Sequence, residues 1–258
     1  MGRLNALVIG LGRQGQRHAR VLTGLGFRVD TVDPIEPAAT FPDLSAASGN
    51  NYDVVAVAVP IRLLARVAID AMFDFEPPLM MVEKPLGVCA DEVANVDRAA
   101  ESTGTLVVPG YTERFNPAVM QFAAMIADGD RAEVVNVAAR RYSPDGGAPD
   151  VDPVVDLAVH DIDIAIRNAP GAVVHVDAGY APHRSRVFVA VHEDGVCTVL
   201  DLANKMVDNV IIDGAEPLVA LWEHALREPP GYRSLSHEVD VMRCAEFLIG
   251  QQAEEPAA

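Results

Sequence analysis

The sequence predicts an α/β chain in two parts: a doubly wound parallel sheet over residues 1–112, then an α+β domain with a mainly antiparallel open sheet over residues 113–258. Three observations carry this reading. As far as about residue 110, short apolar runs alternate with helical periodicity. Runs such as Val54-Val55-Ala56-Val57-Ala58-Val59 are apolar without alternation, as strands covered on both faces should be. After residue 112 strands follow one another with turns between them. The first strand, finally, runs into Gly10-Leu11-Gly12-Arg13-Gln14-Gly15 and a helix.

Leu4 to Ile9 is the first strand, and the glycine turn opens a helix over 13–25. In a G-x-G-x-x-G turn the first glycine allows the sharp bend, the second lets a pyrophosphate approach the backbone, and the third packs helix on strand. The helix start adds free N–H groups and a partial positive charge, so Gly10, Gly12, Arg13, Gln14 and Gly15 are candidate phosphate contacts. A second strand, 27–33, ends in Asp33, about twenty residues further on, where a ribose-binding acid belongs. Strands at 52–59, 79–84 and 105–110 alternate with helices at 61–73 and 91–103, the latter with Asp91 as N-cap and Gly104 as stop. In such a sheet the ligand crevice lies at the carboxyl ends of the strands. Those ends carry Gly10, Asp33, Val59-Pro60, Glu83-Lys84-Pro85 and Gly110-Tyr111.

The second part starts with a helix over 116–127, with Pro117 in its first turn. Strands are expected at 131–142, 172–180, 186–192, 196–203 and 207–212, interrupted by a helix at 154–167. Glu193-Asp194-Gly195 marks a hairpin. Ser143 to Pro153 is a loop of low complexity, two helices (215–227 and 236–250) close the chain, and the tail Gln251 to Ala258 is expected to fray.

A net charge of −17 argues against nucleic-acid or anionic-membrane partners, and leaves any anionic ligand to a few local cations. No apolar run reaches the ~18 residues of a membrane span. The start lacks the basic region and cleavage site of a signal peptide. Cys89, Cys197 and Cys244 are odd in number and widely spaced, which fits reduced thiols in a cytoplasm; each reads as a small buried hydrophobe.

Several residues have chemistry to offer. A carboxylate at Asp33 would accept from both ribose hydroxyls and repel a 2′-phosphate, favouring NAD; Arg13 and Arg28 nearby keep NADP open, and a plain turn acid before Pro34 is the alternative. Lys84 stands at the mouth of a buried strand, a costly place unless it is paired or used. Its ammonium would favour an alkoxide-like oxygen, and a solvated strand-end lysine is the alternative. Asp156 and His160 are four apart, so a helix would put both on one face, with His160 as proton acceptor and the acid orienting it. A satisfied core histidine is the competing reading. No second histidine stands at ligand spacing, so no metal is expected. Tyr111, Glu113 and Arg114 lie where the fifth strand ends. The Arg114 fork suits a substrate phosphate or carboxylate, or else pairs with Glu113; Arg141, beside Arg140, is a candidate of the same kind.

Together Gly10 to Gly15, Glu83-Lys84-Pro85-Leu86, Gly110 to Pro117 and Asp156 to Asp163 resemble the Gfo/Idh/MocA family of NAD(P)-dependent oxidoreductases. The Glu-Arg-Phe-Asn-Pro and Asp-Leu-Ala-Val-His-Asp-Ile-Asp runs are most similar to the branch acting on UDP-N-acetylhexosamines. The resemblance covers roughly residues 1–180. It implies a Rossmann domain, then a domain whose open sheet faces the nicotinamide and often builds homo-oligomers. It further implies catalytic roles for Lys84, Asp156 and His160, and a cis peptide before Pro85. The expected function is hydride transfer between NAD and a secondary alcohol or ketone of a sugar-like metabolite. The alternatives are imine reduction and a catalytically silent NAD-binding sensor, against which intact Lys84, Asp156 and His160 argue. Beyond Gly214 the chain departs from the family by passing almost directly into Glu216-Pro217-Leu218, so a second sheet short by a strand or more is expected.

Overall fold

A computed structural model of the chain describes residues 3–144, 151–228 and 231–254. Most of the loop expected at 143–153, and the end of the tail expected to fray, lie outside the described residues. Two compact units form. One takes the chain up to Gly110 together with Leu221–Val239, and the other takes Tyr111–Ala220 and the chain from Asp240 onward.

In the first unit, β1 (Asn5–Ile9), β2 (Arg28–Val32), β3 (Val54–Val57), β4 (Leu79–Val82) and β5 (Leu106–Pro109) make one parallel sheet in the order β2-β1-β3-β4-β5. β3 and β4 are buried at every residue, which is why their sequences are apolar without a break. The strand order reverses between β1 and β3, the place where such sheets open a crevice. Helices α1 (Arg13–Gly24), α2 (Leu44–Ala47), α3 (Ile61–Phe75) and α4 (Ala90–Thr103) connect the strands. The single turn of α2 was not expected; Asp43 caps it by accepting from Ala46 N at 2.9 Å. The N-cap of α4 is Cys89 rather than Asp91, which sits in the first turn, where its charge suits the helix dipole.

The second unit is built on a six-stranded sheet: β6 (Val134–Ser143), β7 (Val173–Tyr180), β8 (Ser185–His192), β9 (Cys197–Asp201), β10 (Met206–Val207) and β11 (Val210–Ile211), in the order β11-β10-β9-β8-β6-β7. All its pairs are antiparallel except β6 with β7. One face carries Val137, Ala139, Phe188, Ala190 and Leu200 into a core with Phe122 of α5 (Pro117–Ala127) and Ile164 of α6 (Val159–Asn168). Strand periodicity sends their neighbours to the opposite face, where Val173 and Val199 are exposed. Two further helices are α7 (Pro217–Ala225) and α8 (Ser236–Glu254).

Three expectations need correction here. The run 207–212 is not one strand: Asp208 and Asn209 have positive φ (48° and 67°) and turn it back as the β10–β11 hairpin. The helix expected over 154–167 opens as a π turn, Val154–Ala158, before α6. Of the cysteines, Cys197 and Cys244 are exposed and Cys89 is half-buried, so none is a buried hydrophobe. The sheet ends with β11. A Cβ on Gly214 would come within 2.6 Å of Pro117 Cγ, and α7 follows at once. Among the described residues no helix is long and apolar enough to cross a membrane.

Candidate functional site

The first unit supplies a glycine turn with the shape of a phosphate cradle. Gly10 ends β1 at φ +90°, and a Cβ there would lie 2.6 Å from the Ala58 carbonyl oxygen. At Gly15 a Cβ would come within 1.7 Å of the Gly10 carbonyl oxygen, so only glycine lets α1 reach β1. Gly12 is the N-cap of α1, and a Cβ there would meet nothing within 4 Å. The backbone is therefore open to a phosphate on that side, which is the fit a pyrophosphate needs. Arg13 and Gln14 form the first turn of α1, with Gln14 Oε1 accepting from Arg17 Nη1 at 2.8 Å.

Asp33 closes β2 against this turn. Its Oδ2 accepts from Leu11 N at 2.7 Å, and its Oδ1 accepts from Ile35 N and Glu36 N at 2.8 and 2.9 Å. The Leu11 amide does most to hold the carboxyl below its ordinary value; burial opposes it, and the amides of Glu36 and Ile35 add to the lowering. Asp33 is thus a turn acid and a fixed charge at the cradle together. Val59 is half-buried beside Gly10, and Pro60 is the N-cap of α3. At the end of β4, Glu83 is buried and Lys84 half-buried, and the Lys84–Pro85 peptide is cis.

The second unit carries the other candidates. Asp156 lies in the π turn and accepts from the Tyr180 hydroxyl at 2.7 Å. Burial and this bond push the Tyr180 hydroxyl well above its ordinary value. His160 follows in the first turn of α6, with its ring edge-on to Tyr111, 6.0 Å between centroids. A π turn joining the two residues is a device frequent at functional sites. Tyr111 is fully buried, and the Arg114 guanidinium lies over its ring at 4.6 Å.

The arginine forks are where expectation and structure part. Arg114 is clamped by Asp163, with bonds of 2.7, 2.9 and 3.2 Å. Arg141 is buried, donating to Asp161 at 2.6 and 2.9 Å and to Glu113 at 3.1 Å; Arg186 joins through Glu113 at 3.2 Å. Both forks are filled by carboxylates of this chain, in the place expected for a substrate anion. Burial works against the Arg141 charge, but Asp161 and Glu113 outweigh it and hold its value high. Burial pushes Asp161 up while Arg141 draws it down, and the bidentate geometry favours the ionised pair.

Sequence reasoning singled out neither Tyr180, which donates to Asp156, nor His18 and Trp222, where His18 Nε2 meets Glu83 Oε1 at 3.0 Å and Trp222 Nε1 donates to His18 Nδ1 at 3.0 Å. His18 had a signal, since it shares with Leu22 (four residues on) the face of α1 that is buried. The strand-end Tyr180 and the helical Trp222 had none. Among the described residues, no group of histidine, cysteine and acidic side chains is placed to hold a metal ion.

No family model matches the chain. Among solved structures, UDP-N-acetylglucosamine 3-dehydrogenase GnnA from Acidithiobacillus ferrooxidans superposes with a TM-score of 0.79 at 18% identity, covering 96% of this chain and 97% of that chain. In fold, the chain resembles the Gfo/Idh/MocA dehydrogenases. The myo-inositol 2-dehydrogenase from Lactobacillus plantarum gives a TM-score of 0.76 at 16% identity, over 98% of this chain and 97% of that chain. Levoglucosan dehydrogenase, in complex with NADH, gives 0.78 at 14% identity over 98% of both. Among curated proteins, inositol 2-dehydrogenase of Rhizobium meliloti (strain 1021) is 26% identical over 188 residues, 61% of this chain. The chain spans about half the length of that relative, 52%.

Proposed function

We propose that this protein is an NAD-dependent dehydrogenase acting on a secondary alcohol, or in reverse a ketone, of a sugar or polyol. The observation that carries the reading is Asp33, held 2.7 Å from Leu11 N inside the glycine turn, which joins a ribose acid to a phosphate cradle. Gly10, Gly12, Arg13, Gln14, Gly15, Asp33, Val59, Pro60, Glu83 and Lys84 would hold the dinucleotide. NAD supplies, when bound, a hydride acceptor at its nicotinamide. The chain does the rest. Lys84 would stabilise the negative charge developing on the substrate oxygen, and His160 would take the hydroxyl proton. Asp156, itself held by Tyr180, would orient that assembly. The sugar and polyol dehydrogenases among the similar structures support this substrate class. The second sheet's exposed valines, Val173 and Val199, suit a homo-oligomer formed through that face.

The test is turnover of NAD with a panel of inositols, hexoses and UDP-N-acetylhexosamines, run beside imines in the reductive direction. His160→Asn is expected to lower kcat by about 10²–10⁴-fold with NADH affinity nearly unchanged. A folded variant with wild-type turnover would remove His160 from the mechanism. A chain that binds NADH and turns over nothing would be a sensor.

A further inference from the structure

Within the first unit, three polar side chains form a buried line, two of which, His18 and Trp222, have no part in the proposed function. Trp222 Nε1 donates to His18 Nδ1 at 3.0 Å, with the two rings edge-on at 5.8 Å. His18 Nε2 meets Glu83 Oε1 at 3.0 Å. Trp222 and His18 have no exposed surface, and Glu83 has 7%.

The geometry fixes where the proton is. An indole nitrogen only donates, so His18 Nδ1 is the acceptor and the neutral ring carries its hydrogen on Nε2, pointing at the carboxylate. The other oxygen of Glu83 accepts from the backbone N of Lys84 at 3.3 Å. Gly110 closes the far side: a Cβ there would lie 2.9 Å from Glu83 Cα and 3.0 Å from Glu83 Oε2. Glu83 therefore has one place to sit. His18 belongs to α1, whose first turn is the phosphate cradle, so a single carboxylate ties that helix to the residue carrying the ammonium. A structural trio could be apolar and pack as well, without the desolvation that buried polar groups cost.

We propose that His18 and Trp222 are positioning residues for Lys84. His18 aims Glu83, Glu83 holds the Lys84 backbone, and Trp222 selects the histidine tautomer that makes this possible. The effect on turnover rests on the dehydrogenase reading above; the effect on Lys84 does not.

Four forms of the full chain test it: wild type, His18→Leu, His18→Gln and Trp222→Phe, each checked by a thermal melt. NADH affinity, kcat and the ¹H–¹⁵N resonance of the Lys84 amide are measured for each. In His18→Leu the Lys84 amide should move and kcat should fall by about ten- to a hundredfold, the scale of a small misplacement, with a smaller loss of NADH affinity. His18→Gln, whose side-chain amide can donate to Glu83 as Nε2 does, should return the resonance and most of the turnover. In Trp222→Phe the imidazole ¹⁵N signals should lose the single Nε2–H pattern of the wild type. Equal loss in the leucine and glutamine variants, or an unmoved Lys84 amide in His18→Leu, would overturn the proposal. If His18→Leu does not fold, the glutamine and phenylalanine variants carry the same decision. If the wild type turns over no substrate, the dehydrogenase reading fails, while the Lys84 amide and the His18 tautomer still decide the positioning role.

Discussion

The two units hold their candidate residues with different materials. In the first, the cradle is backbone: a glycine turn, the open end of α1 and amides that hold Asp33. In the second, the residues around His160 are fixed by side chains, through Arg114 on Asp163 and the cluster of Arg141, Asp161, Glu113 and Arg186. Space dictates residue type in the first case, because a methyl group too many collides with a carbonyl. Charge balance dictates it in the second, because removing one partner strands another in a dry interior.

The contrast predicts opposite kinds of damage. Arg141→Leu leaves Asp161 and Glu113 buried without their main cation, and should cost about 3–5 kcal/mol of stability by chemical denaturation. NADH affinity of the molecules still folded should be close to wild type. A loss under about 1 kcal/mol would place the second unit's stability elsewhere than in this cluster. Gly15→Ala should do the reverse. The added methyl forces α1 off Gly10 at an overpacking cost of about 1–3 kcal/mol, and NADH binding should disappear in a titration calorimeter. Retained binding would mean that the cradle tolerates a shift the steric argument forbids.

Asp33 gives the next effect in size. NADH should bind at least about tenfold tighter than NADPH, ~1.4 kcal/mol, and equal affinities would take the ribose role from Asp33. The same carboxyl has a pH signature. Its folded value is depressed below the ordinary 3.8, so it stabilises the fold at pH above that value and stops doing so as the pH falls through the lowered one. The gap in melting temperature between wild type and Asp33→Asn should therefore be full at neutral pH and close in acid. The smallest effect belongs to Arg66→Ala on α3, whose partner Asp70 is one turn away on an exposed face. It should change stability by less than about 0.5 kcal/mol; a larger loss would blur the line between buried and surface pairs.

What could be read from the sequence follows the same division. The positions of Gly10, Gly15 and Asp33 at the turn and strand end could be read in advance because local sterics and a short spacing set them. The β8–β9 turn was legible in Glu193-Asp194-Gly195 for that reason too. The β10–β11 hairpin was not, since Asp208-Asn209 lacks the glycine that usually advertises such a turn. Arg114 and Arg141 could be picked out as forks but not given partners, because Asp161 and Asp163 lie 20 and 49 residues away. Likewise, no local pattern announces that a tryptophan 204 residues further along will donate to His18.

The π turn at Val154–Ala158 has a consequence for how this region can vary. Such a turn holds one residue more than a regular helix would over the same stretch. Each residue of an α-helix advances its direction by about 100°, so deleting one here would swing Asp156 around the axis relative to His160. Where the two residues point relative to each other is thus a matter of counting. Swapping Val155 or Leu157 for a similar side chain leaves the count intact, whereas a one-codon deletion between them would regularise the helix and turn the acid away from its present direction relative to the imidazole.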